Sequence, residues 1–424
     1  MKILYIVLDG LGDLPNPELG GKTPLEAAST AFMDKLAKDG QTGMLYPVGK
    51  EIAPESDVAV ISILGYDAEK YYTGRGPLES YAAGLKVNDG DLAYRVNFAT
   101  LGEDNQIIDR RVGRNLTTEE ATELSKAVNE KVELPSATFE FKNTIGHRGV
   151  LVIRNSGGKL SAEVTNTDPA YEKEGAYSVA KSQFDSVLQE CTPADGFMDS
   201  SGAKRAAFLT NEFIKRSHEV LDNEPVNINR VNDGKMPANV ILTRDSGDSL
   251  PKFPPLNEKF NRRFACFVEM PVERGIALLT GMTIIDLPEP TGDAAFDYPL
   301  RAKKVLESLK EFDGLYVHIK GPDEPAHDGK ATAKKDSIEA IDRYFFGELI
   351  PRLNLKDTLI TVTADHSTPC TLKAHSDDPV PVLVSGNNIT PDGTAGFSEK
   401  ECSKGSMGMM RGQELMPLLI RLAT

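Results

Sequence analysis

The residues of this chain that could bind a metal or act as a nucleophile fall in a few segments, and four of its six histidines lie beyond residue 317. In GPDEPAHDG, Asp323 and His327 are four residues apart. In TADHSTPCTLKAH, Asp365 and His366 are adjacent, and His375 follows. Carboxylate and imidazole ligands together suit Mn²⁺ or Zn²⁺, and Mg²⁺ where oxygens dominate. This spacing indicates a metal site.

Each acid stands at the end of a short apolar run that predicts a buried parallel strand. DGLYVHIKG precedes Asp323, DTLITVTADH ends at Asp365 and His366, and ILYIVLDG places Asp9 directly after its apolar run. In a doubly wound sheet these strand ends share one edge, where ligand sites form. Carboxylates gathered there repel one another unless cations bind, and two ions about 3.5–4 Å apart commonly hold a phosphoryl group. Ordinary loop acids and capping histidines are the alternative, which explains any one pair better than the whole set.

A nucleophile is indicated by PESDVAVISILGYD, where Ser56 begins a helical pattern. The free amides of a helix N-terminus can hold an anion, and a serine beside a divalent metal can lose its proton and attack. An isolated Ser-Asp pair at this position is more often only a helix cap. The nucleophile hypothesis therefore depends on the metal site. His147 and His218 are interpreted as surface or loop histidines.

Arginines that could bind an anionic substrate occur in two regions. In YYTGRGPLES, glycines flank Arg75, whose planar guanidinium can bind a phosphate or carboxylate, although an exposed arginine in a tight turn is the alternative. Further charged residues lie at the ends of short predicted strands in the middle of the chain: Arg110, Arg111, Arg114, Arg148, Asp168 and Arg244. A pocket for phosphate and carboxylate explains this set as well as a solvated face with salt bridges does.

Composition excludes several classes of protein. The 48 Lys and Arg against 63 Asp and Glu give a net charge of −15, which argues against a general nucleic-acid binder. A hydrophobic fraction of 40% is typical of a globular chain, and no apolar run approaches the roughly 18 residues of a membrane helix. The apolar run of MKILYIVLDG is too short for a signal peptide. Four scattered cysteines without a CxxC pair indicate free thiols. We expect a soluble, cytoplasmic protein with no membrane partner.

The two ends of the chain predict one α/β domain, built on a doubly wound sheet from residues 1–88 and 256–424. After the first strand, Thr23-Pro24-Leu25-Glu26 forms a capping-box pattern that opens a helix expected to run to Gly40. The C-terminal part predicts helices over about 334–353 and 412–423, and PVPVLVSG predicts a further strand. Residues 323–327 are expected in a loop.

The middle of the chain, residues 89–255, predicts a smaller inserted α+β domain. YRVNFATL, TFEFKNT and RGVLVIRN are strand patterns, and TTEEATELSKAVNEKV is a helix pattern between them. These strands alternate more than those of the ends, which indicates a sheet with one solvated face. Linker patterns at 86–91 and 245–255 flank the insertion and are its expected hinges.

Taken together, these motifs resemble the archaeal-type 2,3-bisphosphoglycerate-independent phosphoglycerate mutases of the alkaline phosphatase superfamily. The segments that carry the resemblance are LDGLGD, SDVAVISILGYDAEKYYTGRGPLES, GPDEPAHDGK, TADHSTP and the later His375, with DGDLAYRVNFAT and GKMPANVILTRDSG in the middle of the chain. Order, spacing and residue types all fit. Two positions depart from the pattern: Val60 stands where many relatives have histidine, and Asp245-Ser246 where they tend to have glycine and alanine.

The resemblance implies an alkaline phosphatase-like core that binds two divalent ions, Mn²⁺ or Mg²⁺, with Zn²⁺ or Co²⁺ as alternatives. By motif position the ligands of one ion would be Asp9, Ser56, Asp365 and His366, and those of the other Asp323, His327 and His375. Ser56 would be the phosphorylated nucleophile, and Lys303 would lie near the phosphoryl group. Phosphoglycerate would be bound by Arg75 and, from the inserted domain, by Arg111, Arg114, Arg148, Asp168 and Arg244.

The implied activity is interconversion of 3-phosphoglycerate and 2-phosphoglycerate in glycolysis and gluconeogenesis, through a phosphoserine protected from water. Two alternatives stay open at this point. The chain could be another phosphotransferase of the superfamily, such as a homoserine kinase-like enzyme, or a phosphatase. It could also be a metal-binding protein without catalysis, in which Ser56 is only a helix cap. The oligomeric state is not indicated by the sequence.

Overall fold

The computed structural model describes residues 1–174, 177–181 and 183–424. It divides into two compact units, one made of Met1–Tyr71 with Phe253–Thr424 and the other of Tyr72–Lys252. Within the described residues, no helix is both long enough and apolar enough to cross a membrane.

The strands belong to one large sheet, a smaller sheet and a hairpin. They are β1 (Lys2–Leu8), β2 (Gly40–Tyr46), β3 (Leu92–Leu101), β4 (Ile107–Asp109), β5 (Ala137–Asn143), β6 (Arg148–Asn155), β7 (Tyr171–Glu174), β8 (Tyr177–Ala180), β9 (Val240–Gly247), β10 (Phe264–Phe267), β11 (Thr283–Ile284), β12 (Gly314–Ile319), β13 (Thr358–Thr363), β14 (Val380–Ser385) and β15 (Gly408–Arg411).

Helices connect and cover these strands. They are α1 (Pro24–Ala27), α2 (Ala31–Lys38), α3 (Ser56–Ile63), α4 (Ala68–Tyr71), α5 (Arg75–Ala82), α6 (Thr118–Lys131), α7 (Ser201–Leu221), α8 (Pro225–Asn232), α9 (Leu256–Phe260), α10 (Pro271–Leu279), α11 (Ala294–Ser308), α12 (Asp323–His327), α13 (Ala331–Ala340), α14 (Gly347–Leu349), α15 (Glu399–Cys402) and α16 (Gly412–Leu422), with a π-helical turn at Ile341–Phe346.

The large sheet brings the ends of the chain together, as the sequence predicts. Its strand order is β11-β10-β12-β1-β13-β14-β2-β15, with β14 antiparallel to both of its neighbours and the other described pairs parallel. The first strand pairs with β12 on one side and β13 on the other, in registers that set Leu8 beside Ile319 and Val7 beside Thr363. The segments that follow these three strands therefore leave the sheet side by side. The predicted α/β fold class is confirmed.

The predicted helix from Thr23 to Gly40 is instead two helices. The capping box of Thr23 and Glu26 is present, but Ala28 has an extended backbone (φ −75°, ψ 149°) and ends α1. The second helix starts where the Asp342 carboxylate accepts the backbone N–H groups of Phe32 and Met33. Because this partner is distant in sequence, the local helical pattern could not reveal the break.

The inserted unit is an antiparallel sheet with helices against it. Strand β3 pairs with β4, β6 and β9, and β6 pairs with β5. The expected solvated face is present on β5, where exposed side chains alternate with partly or fully buried ones, whereas β3 is buried on both faces. Helix α5 packs on β3, β6 and β9, which places residues 72–88 in this unit rather than with the flanking unit.

Candidate active site

Ser56 is the first residue of α3, and its side chain faces a histidine. Its Oγ lies 3.1 Å from His366 Nε2. The N-cap position is held by Glu55, with no capping hydrogen bond from its side chain. Ser56 is thus not the residue that caps this helix, and its hydroxyl lies among ionisable groups.

Asp9 and Asp365 place buried oxygens around the same histidine. His366 Nε2 lies 3.4 Å from Asp9 Oδ1 and 3.3 Å from Asp365 Oδ2. These two oxygens are buried and have no hydrogen-bond partner in the described part of the chain. The other oxygen of Asp365 accepts the backbone N–H groups of Gly10 and His366, each at 3.1 Å. Ionised oxygens aimed inward without donors are the ligands a divalent cation requires.

A second group of ligands lies beside the first. The four-residue spacing of Asp323 and His327, expected in a loop, is one turn of α12, with His327 Nε2 3.4 Å from Asp323 Oδ2. His375 Nε2 lies 3.7 Å from Asp323 Oδ1, and its ring stacks on that of His366 with 3.7 Å between centroids. A Cβ on Gly10, whose φ is 60°, would lie 2.6 Å from Asp323 Oδ1. Glycine there allows the loops after β1 and β12 to approach.

The outer nitrogens of the histidines fix which nitrogen can bind a metal. His327 Nδ1 contacts the Lys373 carbonyl at 3.1 Å, and His375 Nδ1 contacts that of Pro54 at 2.9 Å. A carbonyl can only accept, so each Nδ1 carries hydrogen and the neutral ring presents a lone pair at Nε2. One atom each of Asp323, His327 and His375 lie within 4.8 Å of one another. The donor set fits a divalent metal.

The charges of the cluster reinforce this fit. Burial raises the pKa of Asp9, but the Lys320 ammonium and His366 outweigh it and hold that pKa well below its usual range. Burial also raises the pKa of Asp323, and the hydrogen bond from His327 and the charge of His366 outweigh it. Burial lowers the pKa of His366, yet Asp365 and Asp9 raise it to about 9. The acids are ionised at neutral pH, and a cation must displace the proton of His366.

Three residues of the cluster were not predicted as site residues. Lys320 Nζ lies 2.8 Å from both Asp9 Oδ2 and Glu273 Oε1. His318 lies between two acids, with Nδ1 3.2 Å from Glu273 Oε1 and Nε2 3.5 Å from Asp365 Oδ2. Lys320 follows the same strand end as Asp323, which is a signal that the sequence contains. Glu273 stands in α10, and only the pairing of β10 with β12 brings it here.

The inserted unit gathers its arginines around three acids. Arg75 Nε donates to Glu79 at 2.7 Å, and Arg95 Nε lies 3.6 Å from the same carboxylate. Arg244 contacts Asp168 at 3.3 Å. These contacts extend to Arg110, which binds Asp168 through two hydrogen bonds of 2.7 Å, and to Asp245, 3.5 Å from Arg244.

Positive charge dominates this cluster. Arg111 and Arg148 both lie close enough to other arginines to lower their pKa, with burial as the main cause. Burial and the arginines, Arg148 first, lower the pKa of His147 to about 4. A cavity of about 360 Å³ is lined by Arg110, Arg111 and Arg114. An excess of positive charge on arginines that are mostly only partly buried favours an anion-binding pocket over a solvated face with salt bridges.

Known proteins match this chain over its full length. A family model described as 2,3-bisphosphoglycerate-independent phosphoglycerate mutase matches residues 37–227. A relative of that name from Aeropyrum pernix is 43% identical over 430 aligned residues, which cover 100% of this chain and 99% of the relative. The chain belongs to the 2,3-bisphosphoglycerate-independent phosphoglycerate mutase family.

Solved structures agree with membership of this phosphoglycerate mutase family. The cofactor-independent phosphoglycerate mutase from Thermoplasma acidophilum is 30% identical with a TM-score of 0.65, and each chain is covered over 100% of its length. The PH0037 protein from Pyrococcus horikoshii is 31% identical with a TM-score of 0.80, covering 100% of this chain and 97% of that one.

Lys303, which the family resemblance implies near the phosphoryl group, has a different environment. It lies on α11 with 55% of its side chain exposed, and its Nζ is 4.0 Å from Glu348 Oε1. Lys320 is the lysine that contacts Asp9. The structure does not support a role for Lys303 beside the nucleophile.

The two departures from the family pattern have simple surroundings. Val60 is buried in α3. Asp245 has a left-handed backbone with φ of 56°, where glycine would be unstrained, and its carboxylate faces Arg95 and Arg244. Ser246 Oγ donates to the carbonyl of Ala162. Asp245 thus adds negative charge to the arginine cluster of this family member.

Proposed function

We propose that this protein interconverts 3-phosphoglycerate and 2-phosphoglycerate without 2,3-bisphosphoglycerate, a step of glycolysis and gluconeogenesis, and that Ser56 carries the phosphoryl group. The observation that carries the proposal is the 3.1 Å contact of Ser56 Oγ with His366 Nε2, at the start of a helix whose N-cap position is Glu55. A hydroxyl in that position fits a nucleophile better than a structural cap. Family membership supports the same reaction.

Two divalent ions, Mn²⁺ or Mg²⁺, belong to the proposal. The residues proposed to hold them are Asp9, Ser56, Asp365 and His366 for one ion and Asp323, His327 and His375 for the other. Buried oxygens without donors and imidazole Nε2 lone pairs support this assignment. When bound, such ions supply positive charge that favours ionisation of a serine hydroxyl and neutralises phosphoryl oxygens.

In the proposed reaction, Ser56 Oγ forms a bond to phosphorus while the bond from phosphorus to O3 of glycerate breaks. The proton of the serine hydroxyl passes to O3. Glycerate O2 then attacks the phosphoserine, the bond from phosphorus to Ser56 Oγ breaks, and a proton returns to the serine. The chain's contribution is positioning and charge, because phosphoryl transfer requires little else.

The arginine cluster of the inserted unit is the proposed site for the substrate's anionic groups. Its arginines outnumber the carboxylates that pair with them, and Arg244 is held over the Tyr171 ring with 4.0 Å to the centroid. A planar guanidinium fixed on an aromatic face retains two donors for a carboxylate. We include Arg95 with Arg75, Arg111, Arg114, Arg148 and Arg244 in this site.

The test is phosphorus NMR on 3-phosphoglycerate with Mn²⁺-loaded protein and no bisphosphoglycerate. We expect 2-phosphoglycerate to appear, and a chelator to abolish it. Ser56→Ala should lower turnover by at least about 10³-fold, whereas Ser403→Ala, at an exposed hydroxyl of the same unit, should leave it unchanged. Release of inorganic phosphate alone would establish a phosphatase. Normal turnover by Ser56→Ala would remove this serine from the mechanism.

A further inference from the structure

Beneath the proposed ligands lies a second layer of charge that the proposed reaction does not use. It consists of Lys320, which contacts Asp9, His318, which contacts Asp365, and Glu273, which contacts both Lys320 and His318. Glu273 is 1% exposed and His318 is 1% exposed. Three carboxylates are therefore buried together, an arrangement that needs compensating positive charge.

The ammonium group of Lys320 supplies positive charge to two of these carboxylates. Its Nζ lies 2.8 Å from Asp9 Oδ2 and 2.8 Å from Glu273 Oε1, so one ammonium bridges two acids from different elements. Oxygens about 2.0–2.6 Å from a common centre would be divalent-ion ligands. The bridge thus has nearly the spacing of a metal site, with a nitrogen cation at its centre.

Other groups around the bridge also have the character of metal ligands. Both nitrogens of His318 and Asp365 Oδ2 are buried and make no hydrogen bond of good geometry among the described residues. One ligand atom each of Asp9, His318 and Asp365 lie within 4.8 Å of one another.

We infer that Lys320 is a built-in cation that occupies a third cation site, formed by Asp9, Glu273 and His318, and so excludes an additional divalent ion from the centre. The lysine compensates one of the two negative charges of Asp9 and Glu273 and leaves Asp9 Oδ1 on the side of His366. Removal of the ammonium should convert this site into one for Mn²⁺. The inference goes beyond the proposed reaction, since it concerns how many ions the fold admits.

Metal stoichiometry tests this inference. Full-length protein and variants are dialysed to equilibrium against Mn²⁺, and bound manganese per chain is measured by mass spectrometry. Lys320→Met, which keeps length and removes charge, should bind one more ion per chain than the unmodified protein. The double variant Lys320→Met with Glu273→Gln should lose that gain. Lys304→Met, at a half-exposed lysine paired with Glu307, should match the unmodified protein.

An equal or lower manganese content in Lys320→Met than in the unmodified protein would overturn the inference. So would a Lys320→Met variant that fails to fold in saturating Mn²⁺, because the ion should take the place of the ammonium. The test rests on the difference in bound manganese between Lys320→Met and the unmodified protein. Unmodified protein that binds no manganese would instead count against the two-ion centre of the proposed function.

Discussion

Lys334 offers a sharp test of how the metal loops are held. Its ammonium is fully buried and makes three contacts, with Asp13 Oδ2 at 2.9 Å, the Gly12 carbonyl at 2.9 Å and the Thr368 carbonyl at 3.0 Å. It therefore joins the loop after β1 to the loop after β13. The Asp13 carboxylate also accepts the backbone N–H of Cys370, so the pair connects the two loops twice.

Lys334→Met should be strongly destabilising. Removing one partner of a buried ion pair leaves the other charge uncompensated, which costs about 3–5 kcal/mol. The Gly12 and Thr368 carbonyls each lose one hydrogen bond as well, although Gly12 keeps the one from the Thr368 N–H. We expect the free energy of unfolding of this unit to fall by about 3–5 kcal/mol. Lys335→Met, the neighbouring lysine in a partly exposed pair with Glu339, should cost less than about 1 kcal/mol.

Urea denaturation with metal-free protein measures the difference, so that metal binding does not contribute. The double variant Lys334→Met with Asp13→Leu should recover part of the loss, since it removes both charges. Recovery should be incomplete because Cys370 N–H would lack its acceptor. A loss below about 1 kcal/mol for Lys334→Met, equal to that of Lys335→Met, would refute the reasoning that this pair holds the loops.

Three further predictions concern single groups. Burial raises the pKa of the Glu399 carboxyl to about 7. The stability that its protonated form contributes is fully present below the pKa of the unfolded chain and is lost as pH rises through 7. Glu399→Gln should therefore raise the urea midpoint at pH 8.5 and change it little at pH 5. The Thr368 hydroxyl accepts a hydrogen bond from His366 Nδ1 and donates one to Asp323, so it orients two proposed ligands. Thr368→Val should weaken Mn²⁺ binding, measured by calorimetry, by about 10–100-fold. Unchanged affinity would contradict this role. Asp245→Gly removes a carboxylate from the arginine cluster and should tighten inorganic phosphate binding by about tenfold, with Asp245→Asn showing the same gain if charge is the cause.

The acids among the proposed ligands were accessible to sequence reasoning because Asp9, Asp323 and Asp365 each follow a strand end. Asp9 and Asp365 are separated widely in sequence, yet the parallel pairing of β1 with β13 places them side by side. An apolar run followed by an acid is a local signal, and the parallel sheet converts it into a shared edge. Local sequence patterns were sufficient to predict these residues because parallel pairing places the carboxyl ends of the strands at one edge of the sheet.

The features that sequence reasoning missed depend on long-range contacts. The break between α1 and α2 is stabilised by Asp342, and Glu273 reaches the site from the far side of β12. Helix α5 was assigned to the flanking unit because its own pattern does not reveal that it packs on β3 and β9. In each case the decisive partner lies on another element, so no window of the sequence contains the signal.

Two lysines, Lys320 and Lys334, pair with the two acids of the loop after β1, Asp9 and Asp13, and leave them with different charge. Asp13 is neutralised by Lys334 in a pair that is fully buried, so its charge is committed to holding the loop. Asp9 shares Lys320 with Glu273, so one ammonium serves two carboxylates and leaves net negative charge at the edge of the sheet. That residual charge is what makes the edge attract divalent ions. Lys334 therefore stabilises the loop after β1, while Lys320 leaves the site with the negative charge that a divalent ion needs.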